Sequence, residues 1–215
     1  NRIIVYSYDC NYLNYVTNFP NFSSISSHYQ SYYDAGVTYF YSQGAINDHV
    51  SALTYMRMYV ESKLMWNKEL QYDELASDFF KHYYKDAANA LQKYYDITRN
   101  RYDYYIKAID QSIGTVYASI SDAKIWEKRV VDALKNALDE GLNSIEYLKN
   151  KDAELYDTLY FRIKREYLTV LYLYLVNWRG SFTSQEVSTM LDEWHYLCDY
   201  FGLTKTREGG TGLPF

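Results

Sequence analysis

The pattern of hydrophobic and polar positions along the chain changes near residue 68. Before that point, the β-branched and aromatic runs at 3–8 and 37–41 predict two β-strands. Each strand leads through a polar loop into a predicted helix, the first at about 21–35 and the second at about 50–66. Because two strands joined by a helix are parallel when they share a sheet, we predict a parallel pair.

After residue 68 the apolar positions recur at helical spacing almost throughout. The predicted helices are at about 73–84, 85–112, 121–149, 153–177 and 184–201. Ser121 is the expected cap of the third of these helices, and Thr183 or Ser184 together with Glu186 that of the last. Gly36 and Gly202 are expected to end the helices before them.

These patterns predict a fold that is predominantly α overall. Residues 1–68 are predicted to form an α/β part with two strands, and residues 69–204 an α-helical bundle domain followed by a flexible tail at 205–215. Two parallel strands do not form a stable sheet alone, because parallel sheets are normally covered on both faces and need further strands. We therefore interpret the chain as the C-terminal part of a larger α/β protein.

Composition and charge exclude two classes of partner. Hydrophobic residues make up 48% of the chain and charged residues 23%, as in soluble globular proteins. The net charge is −5 and the basic residues are interleaved with acids, so no nucleic-acid partner is predicted. The most apolar stretch, 168–178, is interrupted by polar residues and is too short to span a bilayer, so the chain is not predicted to be membrane-spanning.

The unusual feature of the composition is a total of 28 tyrosines. Tyrosine combines an apolar ring with a polar tip and suits sugar-binding surfaces, but biased codon use explains such a number equally well. Cys10 and Cys198 are either a disulfide or two buried thiols. Apart from Asp48-His49, no histidine has a neighbour at metal-ligand spacing, so no metal and no cofactor is predicted.

Several stretches in the first 90 residues carry a family resemblance. They are Tyr6-Ser7-Tyr8-Asp9, His28-Tyr29-Gln30-Ser31-Tyr32, Asp34-Ala35-Gly36-Val37, Tyr41-Ser42-Gln43-Gly44, Ser62-Lys63-Leu64-Met65-Trp66-Asn67, Asp73-Glu74-Leu75, Asp78-Phe79-Phe80 and Tyr83-Tyr84-Lys85-Asp86-Ala87-Ala88. Together they resemble the C-terminal portion of a bacterial family known as domain of unknown function 4838. Members of that family are similar to glycoside hydrolases with (β/α)8 barrels, such as the α-glucuronidases and β-hexosaminidases.

The resemblance implies that the two strands are the seventh and eighth of a barrel, with an upstream barrel domain of the same protein as their partner. Barrel active sites lie at the carboxyl ends of the strands, which places substrate-binding candidates after each strand. The candidates are Tyr8, Asp9, Asn11, Tyr12, Gln43 and Asn47. Asp9 is also a candidate catalytic carboxylate, with loop capping or a hydrogen bond to a sugar hydroxyl as the alternatives.

Two further side chains receive structural interpretations. Trp66 is expected to be a buried anchor where the two predicted domains meet, because it lies at the helix end opposite the predicted site. Glu166 and Arg162 are one helical turn apart in the most apolar helix and are expected to form a buried ion pair.

The expected function is that of the C-terminal region of a bacterial glycoside-hydrolase-like protein that acts on or binds carbohydrate. The resemblance implies a secreted, periplasmic or cell-surface location. The alternative is a non-enzymatic helical module that binds glycan or protein. Since the catalytic pair of such barrels usually lies on the middle strands, we expect the chain by itself to lack hydrolase activity.

Overall fold

The computed structural model describes residues 2–44 and 53–215. The first part of the chain forms the predicted strand and helix order: β1 at Ile3–Tyr8, α1 at Ile25–Asp34, β2 at Val37–Gln43 and α2 at Thr54–Trp66. Gly36 follows α1 with a φ of 74°, a left-handed conformation that glycine adopts without strain. The two strands are parallel, as predicted.

The sheet of β1 and β2 is covered on one face. Phe40 on β2 packs against the rings of Tyr29 and Tyr33 on α1, at 5.6 and 5.7 Å between ring centroids. The pairs Ile4–Tyr39 and Tyr6–Tyr41 lie on the other face, since side chains alternate along a strand. That face carries exposed apolar side chains: Ile4, Tyr6, Tyr8, Tyr39 and Tyr41.

Most of the rest of the described chain is helical, as predicted. The helices are α3 at Tyr72–Tyr84, α4 at Ala88–Ala108, α5 at Lys128–Ile145, α6 at Leu148–Lys151, α7 at Ala153–Leu173 and α8 at Ser184–Phe201. Helix α5 packs between α4 and α7, and a π-helical turn at Tyr174–Trp178 extends α7. Thr183 and Glu186 form the predicted capping box of α8, and Gly202 ends that helix with a φ of 68°.

The predicted helix start at Ser121 is wrong, because α5 begins at Lys128. Asp122 holds a turn instead: its carboxylate accepts from the backbone N–H of Lys124 at 2.7 Å, and its carbonyl accepts from that of Trp126 at 3.0 Å. The turn places the Trp126 ring in the core, where its Nε1 donates to the carbonyl of Ile120 at 2.8 Å. Burial of this ring therefore prevails over the local helical pattern.

One continuous set of buried side chains crosses residue 68. It includes residues of α1 and α2 as well as of the later helices, and its members run from Val16 to Leu203. The boundary at 68 stays a prediction, but α2 and α3 share one core. The segment 205–215 also packs against the body: the carbonyl of Thr206 accepts from the N–H of Tyr15, and Phe215 contacts the ring of Trp194.

Two predictions about buried anchors are wrong. Trp66 is 90% exposed at the end of α2, because the apolar face of that helix ends with Leu64. Glu166 is buried, but Tyr84 and the backbone N–H of Leu53 donate to its carboxylate. Arg162 donates to the carbonyl of Tyr83 at 2.6 Å instead of pairing with Glu166.

Candidate functional site

Tyr8 and Gln43 are the last residues of the two strands on the exposed face of the sheet. They are register partners, and the backbone N–H of Asp9 donates to the carbonyl of Gln43 at 3.0 Å to extend the ladder. The Gln43 side chain accepts from the hydroxyl of Tyr6, whose ring lies 4.6 Å from that of Tyr41. The carboxyl ends of the strands thus present aromatic rings and an amide on one surface.

Asn11 and Tyr12 lie beneath that surface. The Asn11 amide donates to the carbonyl of Ala118 at 2.9 Å, and its oxygen accepts from the N–H groups of Leu13 and Asn14, both at 2.9 Å. Tyr12 is 6% exposed, and burial raises the pKa of its phenol well above the usual range. In this arrangement both side chains hold the loop after β1, and substrate contact by them stays a prediction.

Asp9 points toward the helices rather than toward the exposed face. The Asn21 amide donates to its Oδ1 at 3.4 Å, and its carboxyl group lies within hydrogen-bonding reach of Glu61 on α2. Side chains alternate along a strand, so Asp9 and Tyr8 face opposite sides. Asp9 is therefore part of a carboxyl pair between the strand end and α2.

Glu61 is 5% exposed and lies within a mostly apolar stripe of α2. Burial raises the pKa of its carboxyl group well above the usual range, and the adjacent carboxylate of Asp9 raises it further. The positive charge of Arg57 acts in the opposite direction. Burial and the adjacent carboxylate therefore both raise the pKa of Glu61 and favour its protonated form.

Arg57 connects this pair to the loop before α1. Its guanidinium donates to the backbone carbonyl of Asp9 and, at 2.8 Å, to that of Phe19. The same group lies 4.7 Å from the ring centroid of Phe22, a cation–π distance. Arg57 is 6% exposed, so these contacts are made away from bulk water.

A cavity of about 570 Å³ opens beside the carboxyl pair. Its walls come from the end of β1, the loop before α1, α1 itself, α2, the end of α4 and the segment that follows α4. Residues that line it include Tyr8, Asp9, His28, Tyr29, Tyr32 and Glu61. The volume lies in the range of small-molecule sites, and the lining combines aromatic rings with carboxyl groups.

Sequence reasoning found Tyr8 and Asp9 of this cavity but missed Glu61, and it also missed the neighbouring Arg57. A signal was present, because the two charged residues are one turn apart in the stripe that also contains Met56, Val60 and Leu64. Charged residues in an apolar helix stripe indicate buried, paired groups. Their partner Asp9 comes from 48 positions earlier than Arg57, and spacing alone does not identify it.

The remaining candidates give little further chemistry. Asn47, Asp48 and His49 lie outside the described residues. Within the described ranges, no three potential metal ligands lie close together. In the same ranges, no helix is both long enough and apolar enough to cross a bilayer. Cys10 and Cys198 are both buried, and no disulfide joins them in the structure.

Comparison with protein families gives a match over residues 1–96 to the model of a domain of unknown function, DUF4838. The match includes β1, α1, β2, α2 and α3, together with the first part of α4. No curated protein and no solved structure matches the chain. The family match supports the predicted resemblance to the domain of unknown function 4838 family.

Proposed function

We propose that this chain is the C-terminal region of a bacterial glycoside-hydrolase-like protein. In this proposal β1 and β2 are the last two strands of a (β/α)8-type barrel, and their carboxyl ends form part of a carbohydrate site. The observation that carries the proposal is the uncovered sheet face with its exposed aromatic side chains. Helices pack on the opposite face, which is the arrangement of a barrel strand pair seen from its interior.

The proposal assigns separate roles to the candidate residues. Tyr8 and Gln43 end the uncovered face, so they would contact the sugar through a ring face and an amide. Asp9 turns to the helix side and would position the loop through Asn21 and Arg57. The pair of carboxylates that hydrolysis needs would come from strands outside this chain.

The uncovered face also explains why the chain would need a partner. Exposed large apolar side chains on a sheet face indicate a surface that another element covers. The two strands present Ile4, Tyr6, Tyr39 and Tyr41 there, all more than 48% exposed. Further barrel strands would bury these side chains and would also pair with a free edge of the sheet.

The test uses the complete barrel protein with Tyr8→Ala, Gln43→Ala and the control Tyr39→Ala. Tyr39 lies on the same face near the amino end of β2, so it should affect stability but not sugar contact. Turnover is measured on 4-nitrophenyl glucuronide and N-acetylglucosaminide, and binding of the free sugars by calorimetry. We expect Tyr8→Ala and Gln43→Ala to weaken binding or turnover, and Tyr39→Ala to leave both unchanged.

Two results would overturn the proposal. Equal loss of binding in all three variants would remove the distinction between the two ends of the sheet. Turnover by the 215-residue chain alone, abolished by Asp9→Asn, would make Asp9 catalytic and the barrel unnecessary. Binding of glycan by the isolated chain without turnover would favour the non-enzymatic helical module instead.

A further inference from the structure

A second large cavity lies away from the strand ends, among α2, α3, α7 and α8. It is a broad groove of about 1020 Å³, and two arginines of α7, Arg162 and Arg165, line it. They are three positions apart, so they lie on one face of the helix. Rings from all four helices surround them: Tyr55, Phe79, Tyr83, Phe161, Tyr200 and Phe201.

Arg165 is held between two aromatic rings. Its guanidinium carbon lies 4.7 Å from the ring centroid of Tyr55 and 4.8 Å from that of Phe201. Its Nε and Nη1 are buried and have no hydrogen-bond partner among the residues that the structure describes. A buried donor on a charged group is costly when it has no acceptor, so this arrangement calls for an anion or an ordered polar group.

The neighbouring acid does not satisfy Arg165. Glu166 is adjacent in the chain, but its carboxylate accepts from the N–H of Leu53 and the hydroxyl of Tyr84. Burial raises the pKa of Glu166 to about 7, which makes it a partial counter-charge at neutral pH. No ion pair to Arg165 is present within the parts of the chain that the structure describes.

Arg162 adds a second donor group at the same groove. Its guanidinium carbon lies 4.1 Å from the ring centroid of Tyr83, and Nη1 donates to the carbonyl of that residue. Stacking fixes the plane of this guanidinium while its other nitrogens stay available to a ligand. Two acidic residues of α7, Glu154 and Asp157, also line the groove. They lie eight and five residues before Arg162, about 12 and about 7.5 Å along the helix axis at a rise of about 1.5 Å per residue.

We propose that this groove binds a ring compound that carries a carboxylate. Arg165 and Arg162 hold the carboxylate, since the planar guanidinium matches the two oxygens of that group. The aromatic rings pack on the ring of the ligand, as with Phe161 and Tyr200, which are already stacked at 3.8 Å. The site is separate from the strand ends, so it does not depend on the proposed barrel function.

The test measures binding of two ring carboxylates, 4-hydroxybenzoate and galacturonate, to the 215-residue chain by calorimetry or by ligand-observed NMR. Their neutral counterparts, 4-hydroxybenzyl alcohol and galactose, report the contribution of the charge. We expect at least one carboxylate to bind about tenfold or more tightly than its neutral counterpart, the size expected for a charge-assisted hydrogen bond. Binding of 4-hydroxybenzoate would indicate an aromatic acid as the ligand, and binding of galacturonate an acidic sugar.

The variant Arg165→Met keeps the apolar stem between the two rings and removes the charge. It is expected to weaken carboxylate binding by about tenfold or more. Arg129→Met is the matched control, because the Arg129 side chain is 79% exposed on α5 and far along the chain from the groove. Thermal melting of each variant shows whether it is folded, and Arg162→Met replaces Arg165→Met if the latter is not.

Four outcomes would overturn the proposal. The first is that neither carboxylate binds, and the second is that the neutral counterparts bind equally well. The third is that sodium sulfate binds as tightly as the ring carboxylates. The fourth is that folded Arg165→Met or Arg162→Met binds the carboxylates as well as the unmodified protein does. The second would leave an apolar groove without anion recognition, and the third a general anion site without recognition of the ring.

Discussion

Glu166 makes the stability of this protein depend on pH in a predictable direction. Burial raises the pKa of its carboxyl group from 4.5 to about 7, and the bonds from Leu53 and Tyr84 and the charge of Arg165 oppose that rise. Below the unfolded pKa the group is protonated in both states and contributes nothing to the pH dependence. As the pH rises, the unfolded state releases the proton first, so the free energy of unfolding falls until the folded state also ionises.

The magnitude follows from the difference between the two pKa values. Each pKa unit corresponds to about 1.4 kcal/mol, so Glu166 ionisation lowers the free energy of unfolding by roughly 2–3 kcal/mol between about pH 5 and about pH 8. Other groups also titrate in this range. The contribution of Glu166 is therefore the part of the pH dependence that disappears in Glu166→Gln, which has the same shape and does not titrate.

The assay is urea unfolding of the 215-residue protein and of Glu166→Gln at both pH values. Between about pH 5 and about pH 8, the free energy of unfolding of the unmodified protein is expected to fall by roughly 2–3 kcal/mol more than that of the variant. Glu154→Gln is the matched control, because Glu154 is exposed on the same helix. Parallel pH dependence of the protein and Glu166→Gln would refute the reasoning, since Glu166 would then titrate alike in the folded and unfolded states.

Three further predictions concern the packing of the chain, and urea unfolding measures each of them. Arg57→Met is expected to lower the free energy of unfolding by about 3–5 kcal/mol, because it leaves the carboxyl pair without its buried counter-charge, while the exposed Arg129→Met should cost less than about 0.5 kcal/mol. Trp66→Ala is expected to cost less than about 0.5 kcal/mol in this chain, since the side chain is 90% exposed. Gly141→Leu is expected to cost about 2–3 kcal/mol, because even a Cβ there would be 2.9 Å from Leu91, and an unchanged stability would contradict the close packing of α4 and α5.

The features that the sequence predicts well depend on neighbouring residues. Gly36 and Gly202 end helices in the left-handed conformation, and Thr183 with Glu186 forms the capping box. Each of these depends on a few consecutive residues, so the pattern is complete in the sequence. The parallel strand pair was also predictable, because a helix between two strand patterns permits few arrangements.

The features that the sequence does not predict depend on contacts between distant residues. Helix α5 begins at Lys128 and not at the predicted Ser121, because the Trp126 ring lies in the core beside Tyr102, at 5.1 Å between ring centroids. Trp66 was predicted to be a buried anchor. Whether a side chain at the end of a helix is buried depends on which elements from elsewhere in the chain pack against it. The pairing of Glu61 with Asp9 likewise joins α2 to a strand end, and no local pattern encodes it.

Tyr8 ends the exposed face of the sheet, whereas the carboxyl group of Asp9 contacts Asn21 and Glu61 on the helix side, although both residues line the 570 Å³ cavity. If carbohydrate binds on the barrel side, Tyr8→Ala weakens binding while Asp9→Asn mainly lowers stability through its contacts with Asn21 and Glu61. If carbohydrate enters the 570 Å³ cavity instead, Asp9→Asn weakens binding, and so does Tyr29→Phe, which removes only the hydroxyl at the cavity wall. Calorimetry with these three variants in the complete protein, beside melting curves for each, separates the two cases. Loss of binding in Asp9→Asn and Tyr29→Phe at unchanged melting temperature would move the carbohydrate site from the sheet face to the helix side.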